Sequence, residues 1–359
     1  MKAPLSAATP SAVAGSLLGT AAGDALGLPV EGLSRERQQR RFPGLDRHRF
    51  FLGRGMVSDD TEHACMTAQA LIASAGDPHV FLASLARQLR WWLAALPAGV
   101  GYATLRAGLK LWLGFSPDRS GVRSAGNGPA MRAPLLGVCC GHDLERLRAL
   151  VRASTRLTHT DPRAEHGALA AALAAHLSAA SPGAAVAPES FRARLEEALV
   201  REPAGELLSL VAKAAASAAA GQSTASFAAE MGWEHGISGY VYQTVPAALH
   251  AWMAHPGDFR SAVLAVIHCG GDTDTAAAIT GGIVGAGVGK AGIPGEWLSG
   301  LREWPRSVAW MERVAARLAE VCADGEPRPP IPLGAGGVLA RNLVFLVLVL
   351  GHGFRRLLP

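Results

Sequence analysis

The sequence predicts an all-α fold, and three observations support this prediction. Long segments rich in Ala and Leu carry apolar residues at helical spacing, and few segments show the alternation of apolar and polar residues that strands require. Hydrophobic residues make up 49% of the 359 residues but aromatic residues only 6%, so the core is built mainly from aliphatic side chains. Glycines recur at every fourth position near the N-terminus. The length of 359 residues allows one large domain or two smaller ones, and we expect an all-α protein.

Composition argues against several other classes of protein. The net charge of +5 is modest, and no block of Lys and Arg with interleaved aromatic residues is present, so no nucleic-acid-binding surface is expected. The five cysteines form no CxxC pair, which indicates buried, reduced thiols and not a disulfide framework or a zinc site. The N-terminus lacks the charged and apolar regions of a secretory signal. We expect a cytoplasmic protein without a transmembrane span, and its oligomeric state stays open.

Residues 1–11 are predicted to form a flexible tail, and residues 12–325 the domain itself. The first element of the domain has four glycines spaced so that they share nearly one face of a helix: Gly15, Gly19, Gly23 and Gly27. Each Gly destabilises a helix by about 1 kcal/mol relative to Ala, so close packing against a second helix is expected to compensate. Asp24 and Glu31 follow, and each is interpreted first as a solvated or capping carboxylate. Glu31 has a second interpretation, contact with a metal ion or its bound substrate.

Two clusters of hydroxyl and carboxylate side chains lie far apart in the chain, each at the predicted start of a helix. Their members are Ser58, Asp59 and Asp60 in the first cluster and Asp272, Asp274 and Thr275 in the second. A single cluster of this kind is ordinarily a helix cap. Caps do not need to occur as matching pairs, so the pair favours a shared site. Oxygen donors suit a hard divalent cation, and roughly four carboxylates together require about two ions, Mg²⁺ or Mn²⁺.

Between the clusters, helical patterns alternate with loops that carry polar residues. Gly126, Asn127 and Gly128 form a tight turn that can present backbone N–H groups and an amide to a ligand. His159 precedes a helix start, and Tyr240 stands at the mouth of another helix. Each also has an ordinary interpretation. Residues 126–128 can be a plain turn, His159 a core or capping histidine, and Tyr240 a core tyrosine. These alternatives stay open at the level of sequence.

The C-terminal region has a different composition. A Pro- and Gly-rich linker is predicted over residues 326–337, followed by an apolar helix over residues 338–359. The uninterrupted apolar run, residues 343–350, is shorter than the roughly 20 residues that a membrane span requires. We therefore expect this helix to dock onto the domain or onto a partner.

The sequence resembles the ADP-ribosylglycohydrolase family, including its dinitrogenase-reductase-activating type. Six segments between about residues 12 and 290 carry the resemblance in the family's order: GDALGLPVE, SDDTEHA, GNGPAMR, THTDPRA, GYVYQTV and GGDTDTAAAITGGIVGA. The resemblance implies a compact, single-domain all-α helical bundle with a binuclear Mg²⁺ or Mn²⁺ site in a cleft. Ser58 stands where many relatives have Thr, and this change keeps the ligating hydroxyl.

The resemblance also assigns roles to residues. The implied metal ligands are the members of the two clusters, Ser58, Asp59, Asp60, Asp272, Asp274 and Thr275. The candidate catalytic residues are Asp59, Asp60 and Glu31, with Asp59 or Asp60 preferred as the base for the attacking water. The residues that match the lining of the ADP-ribose cleft are Gly126, Asn127, Gly128, His159, Tyr240 and Gly271.

The resemblance implies hydrolysis of the glycosidic bond at the anomeric carbon of an ADP-ribosyl group, on a protein or a small molecule. ADP-ribosyl-arginine is the first candidate substrate. Nearby carboxylates suit this reaction because its transition state has oxocarbenium character. Two alternatives stay open, a two-metal nucleotide phosphohydrolase, which would release AMP, and a non-catalytic ADP-ribose-binding relative. The presence of all six implied ligands favours the enzyme.

Overall fold

The structure, a computed structural model, describes Leu5 and residues 8–357. Within these residues the regular secondary structure is helical, with 18 α-helices, three short 3₁₀ helices and isolated β-bridges only. The predicted all-α fold is confirmed. The α-helices, numbered α1 to α18 in chain order, are Pro10–Gly27, Arg35–Arg41, Asp59–Ser74, Pro78–Ala94, Tyr102–Trp112, Gly128–Met131, Pro134–Cys140, Leu144–Arg156, Pro162–Ala180, Pro188–Ala198, Gly205–Ala219, Thr224–Glu230, Val241–Ala254, Phe259–Ile267, Thr273–Val288, Gly295–Gly300, Val308–Asp324 and Ala335–Leu357.

The centre of the fold is an antiparallel pair of glycine-rich helices, α1 and α15. A Cβ added to Gly23 would clash with the backbone of Ala277, and one added to Gly27 would clash with the backbone of Thr273. Because Gly lacks this atom, the two backbones approach each other directly, which confirms the close packing expected from the glycine spacing. The end of α1 therefore lies beside the start of α15, where the Thr273 hydroxyl donates a hydrogen bond to the carbonyl of Gly27 at 2.9 Å.

The remaining helices surround this central pair. Helices α9, α13 and α14 pack against α15, and α3 and α17 pack against α1. Their buried Ala, Leu, Val and Ile side chains form one large hydrophobic core. The fold thus places the N-terminal ends of α3 and α15, where the two acidic clusters lie, against the C-terminal half of α1.

The first helix begins two residues before the predicted start of the domain. Helix α1 begins at Pro10 because the Thr9 hydroxyl accepts the N–H of Ala12 at 3.1 Å and so caps the helix. Leu5 is buried, whereas residues 1–4 and 6–7 of the predicted tail lie outside the described residues. Helix α2, between α1 and the first acidic cluster, is capped in the same way by Ser34.

The C-terminal helix begins earlier than the sequence suggested. Helix α18 begins at Ala335, inside the predicted linker, and has 23 residues. The last two residues of the predicted helix, 358–359, lie outside the described residues. Among the described residues, two helices are long and apolar enough to cross a membrane by length and composition, Pro10–Val30 and Ala335–Phe354. The most apolar segment of the first, which includes the central helix α1, is 94% buried, whereas that of the second is 22% buried. Small and polar residues extend the second helix beyond the apolar run, so the length of that run alone does not decide whether the helix spans a membrane.

A buried ion pair attaches α18 to the domain. Nε and Nη2 of Arg341 each donate to the carboxylate of Glu303 at 2.7 Å, and Nη2 also donates to the carbonyl of Val57 at 2.6 Å. Glu303 in turn accepts the N–H of Val57 at 3.2 Å. The ion pair thus hydrogen-bonds to both the N–H and the carbonyl of Val57, which directly precedes the first acidic cluster. Charge-assisted hydrogen bonds of this length are the stronger kind.

Candidate functional site

The two acidic clusters meet where α1, α3 and α15 converge. Carboxylate oxygens of Asp24, Asp60 and Asp274 lie within 4.8 Å of one another, and so do those of Glu31, Asp272 and Asp274. Asp274 belongs to both groups. The structure therefore brings together residues that are far apart in the sequence and arranges their carboxylates as two adjoining groups with one shared member.

Helix capping and the shared site involve the same atoms. The Ser58 hydroxyl accepts the N–H of Asp60 at 3.2 Å, as the N-cap of α3 should, and donates to Oδ2 of Asp60 at 3.0 Å. The Thr275 hydroxyl donates to the same Oδ2 from the start of α15 at 3.2 Å. Asp60 consequently joins the two clusters, and the capping interpretation of Ser58 does not exclude the site interpretation.

Asp24 is the site residue that the sequence interpretation missed. It is fully buried, so its interpretation as a solvated carboxylate was wrong, whereas its interpretation as a cap is confirmed by the contacts that follow. Its oxygens accept the N–H of Ser58 at 2.9 and 3.0 Å and the N–H of Thr61 at 3.1 Å, and Oδ2 also accepts the Thr61 hydroxyl. Asp24 thus caps α3 from another helix. One signal could have revealed it, because Asp24 follows Gly23 on a helix predicted to be central.

Burial and mutual repulsion raise the pKa values of these carboxyl groups. Burial raises the pKa of Asp24 to about 7, although hydrogen bonds from Thr61 and Ser58 lower it. Burial, followed by the charges of neighbouring carboxylates, raises the pKa of Asp60 and of Asp274 well above the usual range. Within the described residues, Oδ1 of each of these two carboxylates is buried without a hydrogen-bond partner. A divalent cation bound by oxygen ligands would satisfy such acceptors and offset the repulsion, so the residues present fit Mg²⁺ or Mn²⁺.

A cavity of about 420 Å³ opens beside the carboxylates. This volume lies within the ~300–1,000 Å³ that is typical of small-molecule sites. Of the acidic residues, Glu31, Asp59, Asp272 and Asp274 line it, together with Thr275. Asp59 is half-buried, and its pKa is raised by burial and then by the charges of Asp24, Glu62 and Glu31.

The lining of the cavity also contains four of the six predicted substrate-binding residues, namely Gly126, Asn127, Gly128 and His159. The Asn127 amide donates to Oδ2 of Asp272 at 2.6 Å and to the Thr244 hydroxyl at 3.0 Å, which fixes this part of the lining to the second acidic cluster. Burial and the charge of Arg132 lower the pKa of His159 to about 3, so its imidazole is neutral. His159 is thus buried in the fold and is also part of the cavity lining, and its role in substrate binding stays a prediction.

The other two predicted substrate-binding residues make backbone contacts near this lining. Gly271 exchanges backbone hydrogen bonds with the loop of residues 32–33 and forms a bridge with Ile237. Its φ of 82° and the nearby Ile237 carbonyl exclude a larger residue there. Tyr240 pairs its backbone with Gly126, and its ring lies 5.7 Å from the guanidinium of Arg163. Neither residue is among those that line the cavity.

Two arginines at the cavity were not foreseen from the sequence. Arg106 and Arg123 line the cavity together with Tyr102, and the guanidinium of Arg106 lies 5.5 Å from the Tyr102 ring. Guanidinium groups suit phosphate oxygens because they can donate two parallel hydrogen bonds. Neither arginine belongs to the clusters of hydroxyl and carboxylate side chains that marked the site in the sequence. Only the folded arrangement therefore shows that they line the cavity.

Comparison with known proteins establishes the family. The sequence model of the ADP-ribosylglycohydrolase family matches residues 5–328, nearly the whole chain. The chain belongs to the ADP-ribosylglycohydrolase family. The resemblance seen in the sequence is therefore confirmed, and the protein is a hydrolase of glycosidic bonds. The family match ends before α18, so this helix lies beyond the shared domain.

Individual relatives of this ADP-ribosylglycohydrolase agree with the assignment. An uncharacterized protein of Archaeoglobus fulgidus is 32% identical over 85% of this chain and 95% of its own length. The ADP-ribosyl-[dinitrogen reductase] glycohydrolase of Rhodospirillum rubrum is 28% identical over 80% of this chain and 89% of its own length. An ADP-ribosylarginine hydrolase of Pseudomonas putida is 27% identical over 88% of this chain and 78% of its own length. The solved structure of an ADP-ribosylglycohydrolase-related protein complex superimposes with a TM-score of 0.65 at 27% identity, covering 87% of this chain and 98% of that one.

Asp24 offers a direct test of the site of this ADP-ribosylglycohydrolase. The change Asp24→Asn is expected to lower the affinity for Mn²⁺ by about 10–100-fold, because an amide removes one charge from the first carboxylate group and substitutes N–H donors for an acceptor. Isothermal titration calorimetry measures this. Asp77→Asn is the matched control, since Asp77 caps α4 from an exposed position and Asn caps equally well. Unchanged affinity in Asp24→Asn would limit Asp24 to helix capping.

Proposed function

We propose that this protein removes ADP-ribose from an arginine side chain of an ADP-ribosylated protein, in a reaction that depends on two divalent cations, Mg²⁺ or Mn²⁺. The observation that carries the proposal is the pair of carboxylate groups sharing Asp274 at the edge of the 420 Å³ cavity. Two relatives support the substrate, since one is named for ADP-ribosyl-[dinitrogen reductase] and the other for ADP-ribosylarginine.

The proposed cation ligands are the six residues of the two clusters together with Asp24 and Glu31. Support for these last two is that their carboxylate oxygens lie within 4.8 Å of those of Asp274 and of a second cluster member. When bound, the cations would supply fixed positive charge and Lewis-acid polarisation of an oxygen ligand. The chain holds its own ligands in position: Asp60 through the Ser58 and Thr275 hydroxyls, and Asp272 through the Asn127 amide.

Asp59 is the residue that we propose as general base. Asp60 already accepts two hydroxyl hydrogen bonds, whereas Asp59 lines the cavity beside Glu31. From there the Asp59 carboxylate would take a proton from a water that attacks the anomeric carbon, as the bond to the arginine nitrogen breaks. The carboxylates around the cavity would also stabilise the positive charge that develops on the ribose ring.

The rest of the cavity suits the remainder of an ADP-ribosyl group. Neutral His159 and the 126–128 turn offer polar groups without adding charge. Arg106 and Arg123 offer guanidinium groups for the two phosphates. The cavity lining thus offers carboxylates for the ribose next to the scissile bond and guanidinium groups for the pyrophosphate.

The test is incubation of the purified protein with an ADP-ribosyl-arginine protein in Mg²⁺ or Mn²⁺, and in EDTA, followed by mass spectrometry. We expect free ADP-ribose with either cation and none in EDTA. AMP as the product would identify a phosphohydrolase instead. Release of ADP-ribose only from serine-linked or O-acetyl substrates would contradict the arginine assignment but keep the reaction. Product formation that is unaffected by EDTA would contradict the role of the cations.

A further inference from the structure

Helix α18 presents an apolar stripe to solvent. Six of its residues, each 39–69% exposed, recur at spacings of three or four and therefore share one face of the helix: Leu339, Leu343, Leu346, Val347, Leu350 and Phe354. The stripe runs along most of a helix that lies beyond the family domain. A continuous exposed apolar patch of this kind marks a binding surface, because the fold itself gains nothing from leaving it in water.

A second apolar feature lies beside this helix. A tight turn, closed by reciprocal backbone hydrogen bonds between Phe51 and Arg54, exposes the Phe51 and Leu52 side chains. Leu52 has a φ of 48°, a left-handed conformation that disfavours a bulky residue. Phe50, the residue before Phe51, packs inward, and its ring lies 5.6 Å from that of Phe345 on α18. The turn is thus fixed to the helix, and its strained tip carries an apolar side chain.

The segment that packs against α18 is basic. Residues 35–54 contain seven arginines and only two acidic residues, and the sequence after Glu326 contains no Asp or Glu. The exposed arginines of this segment are Arg37, Arg40, Arg41, Arg47, Arg49 and Arg54. The Phe42 ring lies 6.3 Å from that of His352, which places the segment alongside the helix. We call the α18 stripe, the tip of the turn and these arginines together the basic apolar face.

The charge of this face selects its partner. Exposed apolar side chains next to arginines complement an anionic bilayer, in which acyl chains lie beneath phosphate headgroups. A symmetric dimer through the α18 stripe would bring together two copies of a region that is rich in arginine and contains no Asp or Glu after Glu326, and like charges oppose such contact. We propose that the basic apolar face binds the surface of an anionic lipid bilayer.

The contacts of α18 specify how the helix lies on the bilayer. Its inner face is held by the Arg341–Glu303 ion pair, by the Asn342 amide on the Ala95 carbonyl at 2.8 Å, and by His352, whose Nε2 lies 2.8 Å from the Pro29 carbonyl. A bilayer-spanning α18 would break all three and expose the Arg341 charge to hydrocarbon. The helix therefore lies in the plane of the bilayer surface, with its inner face on the domain.

The test is sedimentation of the full chain with vesicles of phosphatidylcholine, alone or mixed with phosphatidylglycerol. We expect binding to the mixed vesicles only, and its release by salt, because salt screens the arginine–phosphate attraction. Val347→Glu combined with Phe354→Glu is expected to weaken binding at least about tenfold, since each charge would enter the apolar layer. Arg47→Gln combined with Arg49→Gln is expected to weaken it about fivefold per arginine.

Val200→Glu is the matched control, because Val200 is 74% exposed, follows the end of α10 and lies outside the basic apolar face. This change should leave vesicle binding as it is in the native chain. Circular dichroism and thermal melting show whether each variant is folded. Equal sedimentation of the native chain with and without mixed vesicles would overturn the proposal, as would equal binding to neutral vesicles. Retention after a high-salt wash, with release by detergent alone, would indicate a span. Dimerisation that Val347→Glu abolishes, without vesicle binding, would identify a second copy as the partner.

Discussion

The change Asp274→Asn should lower hydrolysis of ADP-ribosyl-arginine by about 1,000-fold and, at the same time, stabilise the cation-free protein. Asp274 is the carboxylate shared by the two groups, so both proposed cation sites lose a charged ligand. A 1,000-fold loss corresponds to about 4 kcal/mol of transition-state stabilisation, which is in the range expected for Lewis-acid effects. Single-turnover kinetics with product detection would measure the loss.

The stability part of this prediction follows from the sign of the pKa shift. Burial and the charges of Glu31 and Asp272 raise the pKa of Asp274 in the folded, cation-free protein above its unfolded value of about 3.9. The contribution of this carboxyl group to the free energy of unfolding is therefore fully present below the unfolded pKa. It is lost as the pH rises through the folded pKa. An uncharged Asn avoids the loss, so the variant in EDTA should melt above the native protein at neutral pH.

Cation binding should reverse this order. Mn²⁺ at about 100 times its dissociation constant stabilises a protein that binds it only when folded by about 2.7 kcal/mol, and Asp274→Asn should gain far less. Thermal melting in EDTA and in Mn²⁺ gives both values. Asp118→Asn, at an exposed position, should behave as the native protein does in both conditions. If Asp274→Asn kept the full Mn²⁺ effect, Asp274 could not be a shared ligand.

Gly19→Ala should destabilise the fold by about 3 kcal/mol, although Ala is the better helix former by about 1 kcal/mol. The added methyl group would meet the backbone carbonyl of Gly281, which cannot move aside as a side chain can. Helices α1 and α15 would have to separate. Urea denaturation measures the change in the free energy of unfolding.

The control for this prediction is a glycine in a helix without a close neighbour. A Cβ added to Gly351 in α18 would meet nothing within 4 Å, so Gly351→Ala should stabilise the protein by up to about 1 kcal/mol. Gly19→Ala should also weaken Mn²⁺ binding, because α1 carries Asp24 and α15 carries Asp274. A Gly19→Ala protein as stable as the native one would show that the two helices can separate at little cost.

The central helix pair shows how far sequence alone could go. The spacing from Gly15 to Gly27 predicted that α1 packs closely against a helix, and Gly281 and Gly285 mark the partner with the same spacing. Which helix it is depends on the antiparallel arrangement of the folded chain. The matching pair of acidic clusters likewise predicted that the two would meet. The position of Asp24 after Gly23 indicated only that it lies near the centre of the fold, not that it joins these clusters. Its burial depends on α15 and on the first turn of α3.

The C-terminal helix shows what the sequence could not provide. Arg341 in an apolar segment gave no indication of its partner, because Glu303 lies in an irregular segment with no motif around it. The Arg106 and Arg123 side chains reach the cavity from separate segments, so no local pattern connects them. Periodicity reports which face of a helix is apolar, but not which buried charge a neighbouring element supplies.

The ion pair of Arg341 and Glu303 connects the C-terminal helix to the family domain through hydrogen bonds to Val57. Both backbone groups of Val57 are fixed by this pair, and Ser58, the next residue, begins the turn that carries Asp59 and Asp60. If cations gain free energy from an ordered turn, that gain would be shared with the docking of α18. Linkage is reciprocal, so the docked helix would then strengthen the proposed cation binding by the same factor by which bound cations strengthen docking. Docking of the C-terminal helix and binding at the acidic clusters would thus be thermodynamically coupled.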